Sequence, residues 1–139
     1  MISNLLYVSV RKDNCTDEEI DKILDSARRN NKGLDITGVL LYTKSRFVQY
    51  LEGEYNEIVG LYDKIKEDDR HKNVILVAMS KTEKRLFPSW EMGAKNVGKD
   101  GVDFKTNLSS EDQKLFNDLI DGKTEDSNRA IQMIQKVLK

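Results

Sequence analysis

The pattern of apolar and polar positions predicts a strand first. Residues 3–10 (SNLLYVSV) are rich in β-branched and aromatic types and contain no breaker. The period then changes. In TDEEIDKILDSARRNNKG, Ile20, Ile23, Leu24 and Ala27 fall at i, i+3, i+4 and i+7, a single helical stripe. Thr16 is placed to cap this helix, Glu19 to complete a capping box, and Gly33 to stop it. Arg28 and Arg29 suit the negative end of its dipole. Residues 34–43 (LDITGVLLYT) are apolar enough for a central strand. After the short KSR connection, RFVQYLEG (46–53) predicts a third strand and so a hairpin. Ile58, Leu61, Tyr62 and Ile65 repeat the helical stripe over 56–69. NVILVAMS (73–80) predicts a fourth strand, and WEMGAKNV, just after the single proline Pro88, a fifth.

This order, β-α-β-β-α-β with an extra fifth strand, is α+β and matches ferredoxin-like folds, with two helices on one face of the sheet. GKDGVDFKT (98–106) is polar, carries two glycines and reads as a linker. After it, SSEDQKLFNDLI and EDSNRAIQMIQKVL predict a C-terminal tail of two short amphipathic helices. Their apolar residues need cover, and the sheet face left bare by the first two helices is the expected surface. A partner subunit is the other. The division is thus a domain over 1–97 and a linker with helical tail over 98–139.

Composition narrows the function. A chain of 139 residues suits one domain with one core, and 34% charged against 38% apolar residues reads as soluble and globular. A net charge of -1 argues against a general nucleic-acid binder. One cysteine, Cys15, makes no internal disulfide and suits a reducing cytoplasm; one histidine without a cysteine cluster argues against zinc. No apolar run reaches membrane-spanning length, and the start MISNLLYVSVRKD lacks the basic region of a secretory signal.

Gln49 is the anomaly. Side chains alternate across a strand, so Phe47, Gln49 and Leu51 share a face, the one expected to be buried. A buried primary amide needs partners or it costs free energy. Tyr7, Asn30, Asn31, Arg70, His71, Trp90 and Met92 could converge on it. Each also has an ordinary reading: Tyr7 a core aromatic, the asparagines helix-end residues, Arg70 and His71 a solvated loop, Trp90 and Met92 an edge strand.

Jointly they resemble a family. The segments LLYVSV, RRNNKGLDITGVLLY, FVQYLEG, DDRHKNV and RLFPSWEMG, in this order and spacing, are similar to BLUF domains, the blue-light sensors that use FAD. The resemblance covers roughly residues 1–97. It implies that Tyr7 is the photoactive tyrosine and that Gln49 lies between it and the flavin. Asn31 would bond the pyrimidine edge of the ring, with Asn30 its neighbour. Ile23 and Ile65 would sandwich the ring, Phe47 would join the cofactor-binding group, and Arg70 and His71 would stand near the polar edge. Trp90 and Met92 would carry the signal. Light-driven electron and proton transfer from Tyr7 would rearrange Gln49, by rotation or tautomerisation.

The expected protein is therefore a photoreceptor rather than an enzyme. A tail of this length leaves no room for a catalytic output domain, so the output is a contact with an unidentified downstream protein or within a homo-oligomer, without nucleic acid or membrane. Two other readings compete. An acylphosphatase-like enzyme needs a phosphate-cradling loop after the first strand, but VRKDNCTDE has one Arg among acidic residues and no glycine. A ferredoxin-like module that binds a small molecule or dimerises explains the fold but not the joint presence of Tyr7, Asn31, Gln49 and Trp90.

Overall fold

The computed structural model describes residues 2–83, 85, 93–96 and 114. Its elements are β1 (Ile2–Arg11), α1 (Asp17–Leu34), β2 (Thr37–Tyr42), β3 (Arg46–Gly53), α2 (Tyr55–Glu67), β4 (His71–Thr82) and β5 (Gly93–Asn96). They form one sheet in the order β4-β1-β3-β2-β5. β1 runs antiparallel to β3 and β4, and β2 antiparallel to β3, whereas β5 joins β2 in parallel. The β-α-β-β-α-β order and the fifth strand are as the hydrophobic pattern predicts.

The sheet register decides which side chains meet. Tyr7 lies opposite Gln49, and Gln49 opposite Leu40. One row on, Ser9 faces Phe47 and Phe47 faces Tyr42. These rows share a face with Leu5 and Leu51. That face packs against Ile20 and Leu24 of α1 and Ile58 of α2 in one core cluster, so both helices cover the same side. The other side is buried too: Leu6, Val39, Leu41, Val48 and Tyr50 point there by alternation and are almost wholly excluded from solvent. Apart from Lys114, which is helical, the tail helices expected to cover that side lie outside the described residues.

The element ends show local chemistry. Thr16 caps α1, its hydroxyl accepting from the Glu19 N–H at 3.3 Å. Gly33 does not stop the helix. Leu34 is still helical, and the turn out of it is made by Asp35 in the left-handed region, φ 56 and ψ 40, with its N–H on the Asn31 carbonyl. A short polar side chain tolerates that conformation where most residues do not. β2 consequently starts at Thr37, later than the apolar run suggests. In α2, Glu54 is the N-cap, with its carboxylate on the Glu57 N–H at 3.2 Å. β4 begins at His71, ahead of the apolar stretch that marked it in sequence.

Two glycines make opposite demands. A Cβ at Gly33 would meet nothing within 4 Å, whereas one at Gly38 would lie 2.0 Å from the Tyr50 carbonyl oxygen of the neighbouring strand. Gly33→Ala therefore raises stability by about 1 kcal/mol, the helix-propensity difference. Gly38→Ala lowers it by about 3 kcal/mol or abolishes folding, because backbone must move. Chemical denaturation of the two variants beside the parent checks both signs.

Candidate functional site

Cross-strand pairing sets the centre of the site. Tyr7 and Gln49 are direct partners on the antiparallel β1–β3 ladder, and the Tyr7 hydroxyl donates a hydrogen bond to Gln49 Oε1. Both residues are buried. Burial pushes the Tyr7 hydroxyl far above the ordinary tyrosine range, and the negative charge of Asp68 and the nearby Tyr62 add to the shift. The phenol thus keeps its proton and acts as donor. With its oxygen engaged by Tyr7, the Gln49 amide meets further partners chiefly through its N–H groups.

Above this pair lies a cavity of about 180 Å³ between the two helices and the sheet. Tyr7, Leu40, Phe47 and Gln49 line its sheet side. Ile23, Ala27, Asn30 and Asn31 line it from α1, and Leu61, Lys64 and Ile65 from α2. Asn31 is fully buried, while Asn30 is exposed at the mouth. Asn31 makes a further interaction within the protein, and its Oδ1 atom is buried without a hydrogen bond from another protein group. Helical geometry accounts for the wall: Ile23, Ala27 and Asn31 are spaced by fours and so stand above one another on α1.

The cavity rim is more tied down than the sequence suggests. His71 Nε2 lies 2.6 Å from the Ile65 carbonyl oxygen, and its Nδ1 lies 2.9 Å from Ser9 Oγ. A carbonyl only accepts, so Nε2 carries a proton; in the neutral ring Nδ1 then accepts from the serine. The same ring stands edge-on to Tyr7 and Phe47, with centroids 6.2 and 5.9 Å away. Arg70 also lines the cavity, but its guanidinium is clamped by Asp68, with Nη2 to Oδ2 at 2.6 Å and Nε to Oδ1 at 2.9 Å. Those hydrogen bonds hold the Asp68 carboxyl below the usual range against the opposing effect of burial. The same partner raises Arg70.

The structure thus gathers Tyr7, Ile23, Asn30, Asn31, Phe47, Gln49, Ile65, Arg70 and His71 around one cavity. Trp90 and Met92 lie outside the described residues. Ser9, Lys64 and Asp68 are additions that sequence reasoning missed. Ser9 could have been found by period, since it shares the Tyr7 face two residues on. Asp68 had no such signal among four neighbouring charges. The set suits a flat heteroaromatic ring with one polar edge. Ile23 and Ile65 offer aliphatic surface from opposite helices, and the amides of Asn31 and Gln49 offer donors and acceptors. Among the described residues, no group of three or more His, Cys, Asp or Glu could hold a metal ion. No helix there is long and apolar enough to cross a membrane.

Known proteins share much of this sequence and fold. The chain is 38% identical over 88 residues to photoactivated adenylate cyclase subunit beta of Euglena longa, covering 63% of this chain and 10% of that protein. Among solved structures it resembles a bacterial light-regulated adenylyl cyclase, with TM-score 0.68 and 31% identity over 98% of this chain and 36% of that one. It also resembles the dark state of the BLUF protein BlrB, with TM-score 0.68 and 25% identity over 99% of this chain and 95% of that one. The chain therefore spans only a tenth of the cyclase subunit and about a third of the solved cyclase. The family described as sensors of blue-light using FAD matches residues 2–93, which include the whole Tyr7–Gln49 cavity. The chain belongs to the BLUF family of blue-light sensors.

Proposed function

We propose that the cavity between α1 and α2 holds the ring of FAD noncovalently and that Tyr7 and Gln49 convert absorbed blue light into a changed hydrogen-bond pattern. The observation that carries this reading is the Tyr7 hydroxyl bonded to Gln49 Oε1 on the floor of that cavity. Bound flavin supplies a strong oxidant when it absorbs blue light. Ile23 and Ile65 grip the faces of the ring, and Asn31 pairs with its donor–acceptor edge. Tyr7 is in hydrogen-bond contact with Gln49; it would give an electron and its proton to the excited flavin and take both back on recombination, leaving only the amide rearranged. Its hydroxyl proton points at Gln49 Oε1, so departure of that proton removes the bond that orients the amide. Gln49 then presents a donor where an acceptor stood, by rotation or by tautomerisation.

The sheet offers a route outward. Gln49 pairs with Leu40, and Leu40 pairs with Ala94 of β5. A shift of the backbone at Gln49 would therefore have one intervening strand to cross before it reaches the segment that follows Trp90 and Met92. A light-biased equilibrium in that segment passes the signal to a partner protein or to a second copy of the chain, in the cytoplasm and without nucleic acid or membrane. The chain itself is a sensor and catalyses nothing.

Protein refolded with excess FAD is expected to be yellow, to release FAD on denaturation and to give a red-shifted absorption band under blue light. A colourless protein overturns the reading in favour of a ferredoxin-like module without photochemistry. Asn31→Ala weakens FAD binding by about 1–3 kcal/mol, the usual cost of unsatisfied buried groups, as measured by fluorescence titration.

Tyr7→Phe keeps the ring and removes the hydroxyl; Gln49→Leu keeps the approximate volume and removes the amide. Both variants stay yellow, and neither forms the red-shifted state. Difference absorption after blue illumination decides, and a normal red shift in either variant removes that residue from the mechanism.

A further inference from the structure

The segment RLFPSWEMG opens with an arginine to which the reading above gives no role. Arg85 reaches back across three elements. Its Nη1 donates to Thr37 Oγ1 at 2.9 Å and to the Glu52 carbonyl at 3.0 Å. Its Nη2 donates to the Asp35 carbonyl at 2.7 Å and to Asp35 Oδ2 at 3.2 Å. The arginine side chain is only 14% exposed, whereas that of Asp35 is 92% exposed. An exposed carboxylate contributes little to such a pair. The backbone carbonyls and the threonine hydroxyl are what hold the guanidinium, and its planar fork fits several acceptors at once.

The place it grips is the end of α1. Asp35 is a non-glycine residue in the left-handed region, which its short polar side chain tolerates but does not by itself prefer, so the contacts around it help to hold the turn. Its N–H and that of Ile36 both go to the Asn31 carbonyl, the latter at 3.0 Å. The backbone of Asn31 is thus fixed by the cap, and the cap by Arg85. Thr37 and Glu52 are themselves register partners, so the same guanidinium also pins the first rung of β2 on β3.

We propose that Arg85 is a positioning residue for the flavin cavity, acting through the left-handed cap at Asp35 to hold the Asn31 amide in place. This rests on the reading that Asn31 meets the flavin edge. It adds a second link between the cavity and the chain that follows β4, one that runs through the end of α1 and not through Gln49.

The test is a double-mutant cycle on the full chain, stripped of flavin and titrated with FAD while flavin fluorescence and the melting temperature are followed. Arg85→Gln is expected to raise the dissociation constant roughly two- to thirtyfold, the range for residues that act on a site through intervening contacts. In an Asn31→Ala background the same change should add nothing to the loss of affinity. Arg85→Lys keeps the charge and the stem but loses the fork; it should shift affinity in the same direction, and it decides the matter if Arg85→Gln does not fold. A lower melting temperature with unchanged FAD affinity makes Arg85 a structural tie only and overturns the proposal. Losses that simply add in the double variant overturn it as well. If the parent chain itself fails to bind FAD, the flavin reading falls first and takes this inference with it.

Discussion

One hydrogen bond organises this domain, and one sheet register makes it. Tyr7 meets Gln49 because β1 pairs with β3 so that the two Cα positions are directly opposed. A slip of one residue would turn every side chain of a strand to the other face and separate the pair altogether. The register is held on both faces. Leu5 against Leu51 anchors the helix side, and Leu6 against Tyr50 anchors the other. The polar pair is therefore set by the packing of its apolar neighbours, and its geometry is as stiff as the core around it.

The cavity is the cost of that arrangement. Well-packed cores leave few voids larger than a water molecule, yet here α1 and α2 stand apart over the sheet. Ties at the rim keep the helices in place without filling the gap. His71 joins Ser9 of β1 to the last turn of α2 at the Ile65 carbonyl, which also accepts from the Asp68 N–H. Arg70, clamped by Asp68, leans toward Glu19 of α1 at 4.0 Å. These contacts link the two helices around the opening. They also explain why Arg70 and His71 line the cavity while spending much of their hydrogen-bonding capacity on the protein.

Much of this was legible in the chain. The helical stripes at Ile20, Ile23, Leu24 and Ala27 and at Ile58, Leu61, Tyr62 and Ile65 reported both helices, since period is a property of burial. Gln49 stood out because a primary amide between Phe47 and Leu51 breaks an apolar face. What escaped was chemistry that depends on tertiary neighbours. Gly33 carries the usual signal for a helix end, yet Asp35 makes the turn, with a distant arginine on its carbonyl. The partner of Arg70 could not be chosen among Glu67, Asp68 and Asp69 by spacing alone. Ser9 shares the Tyr7 face by period, but nothing local shows that a histidine from β4 will sit beside it.

β3 has a second side. Gln49 faces the cavity, while Tyr50 and Glu52 lie on the opposite face of the sheet, where the Tyr50 hydroxyl donates to Glu52 Oε2 at 3.1 Å. Glu52 is completely buried, and burial, with the Glu52 carboxyl beside it, pushes the Tyr50 hydroxyl well above its ordinary range. The strand is thus a partition with a hydrogen-bonded phenol on each surface, one given to an amide and one to a carboxylic side chain. A displacement of β3 that changes the bond on the cavity side therefore also bears on a dehydrated hydrogen bond on the other, so the strand couples its two faces.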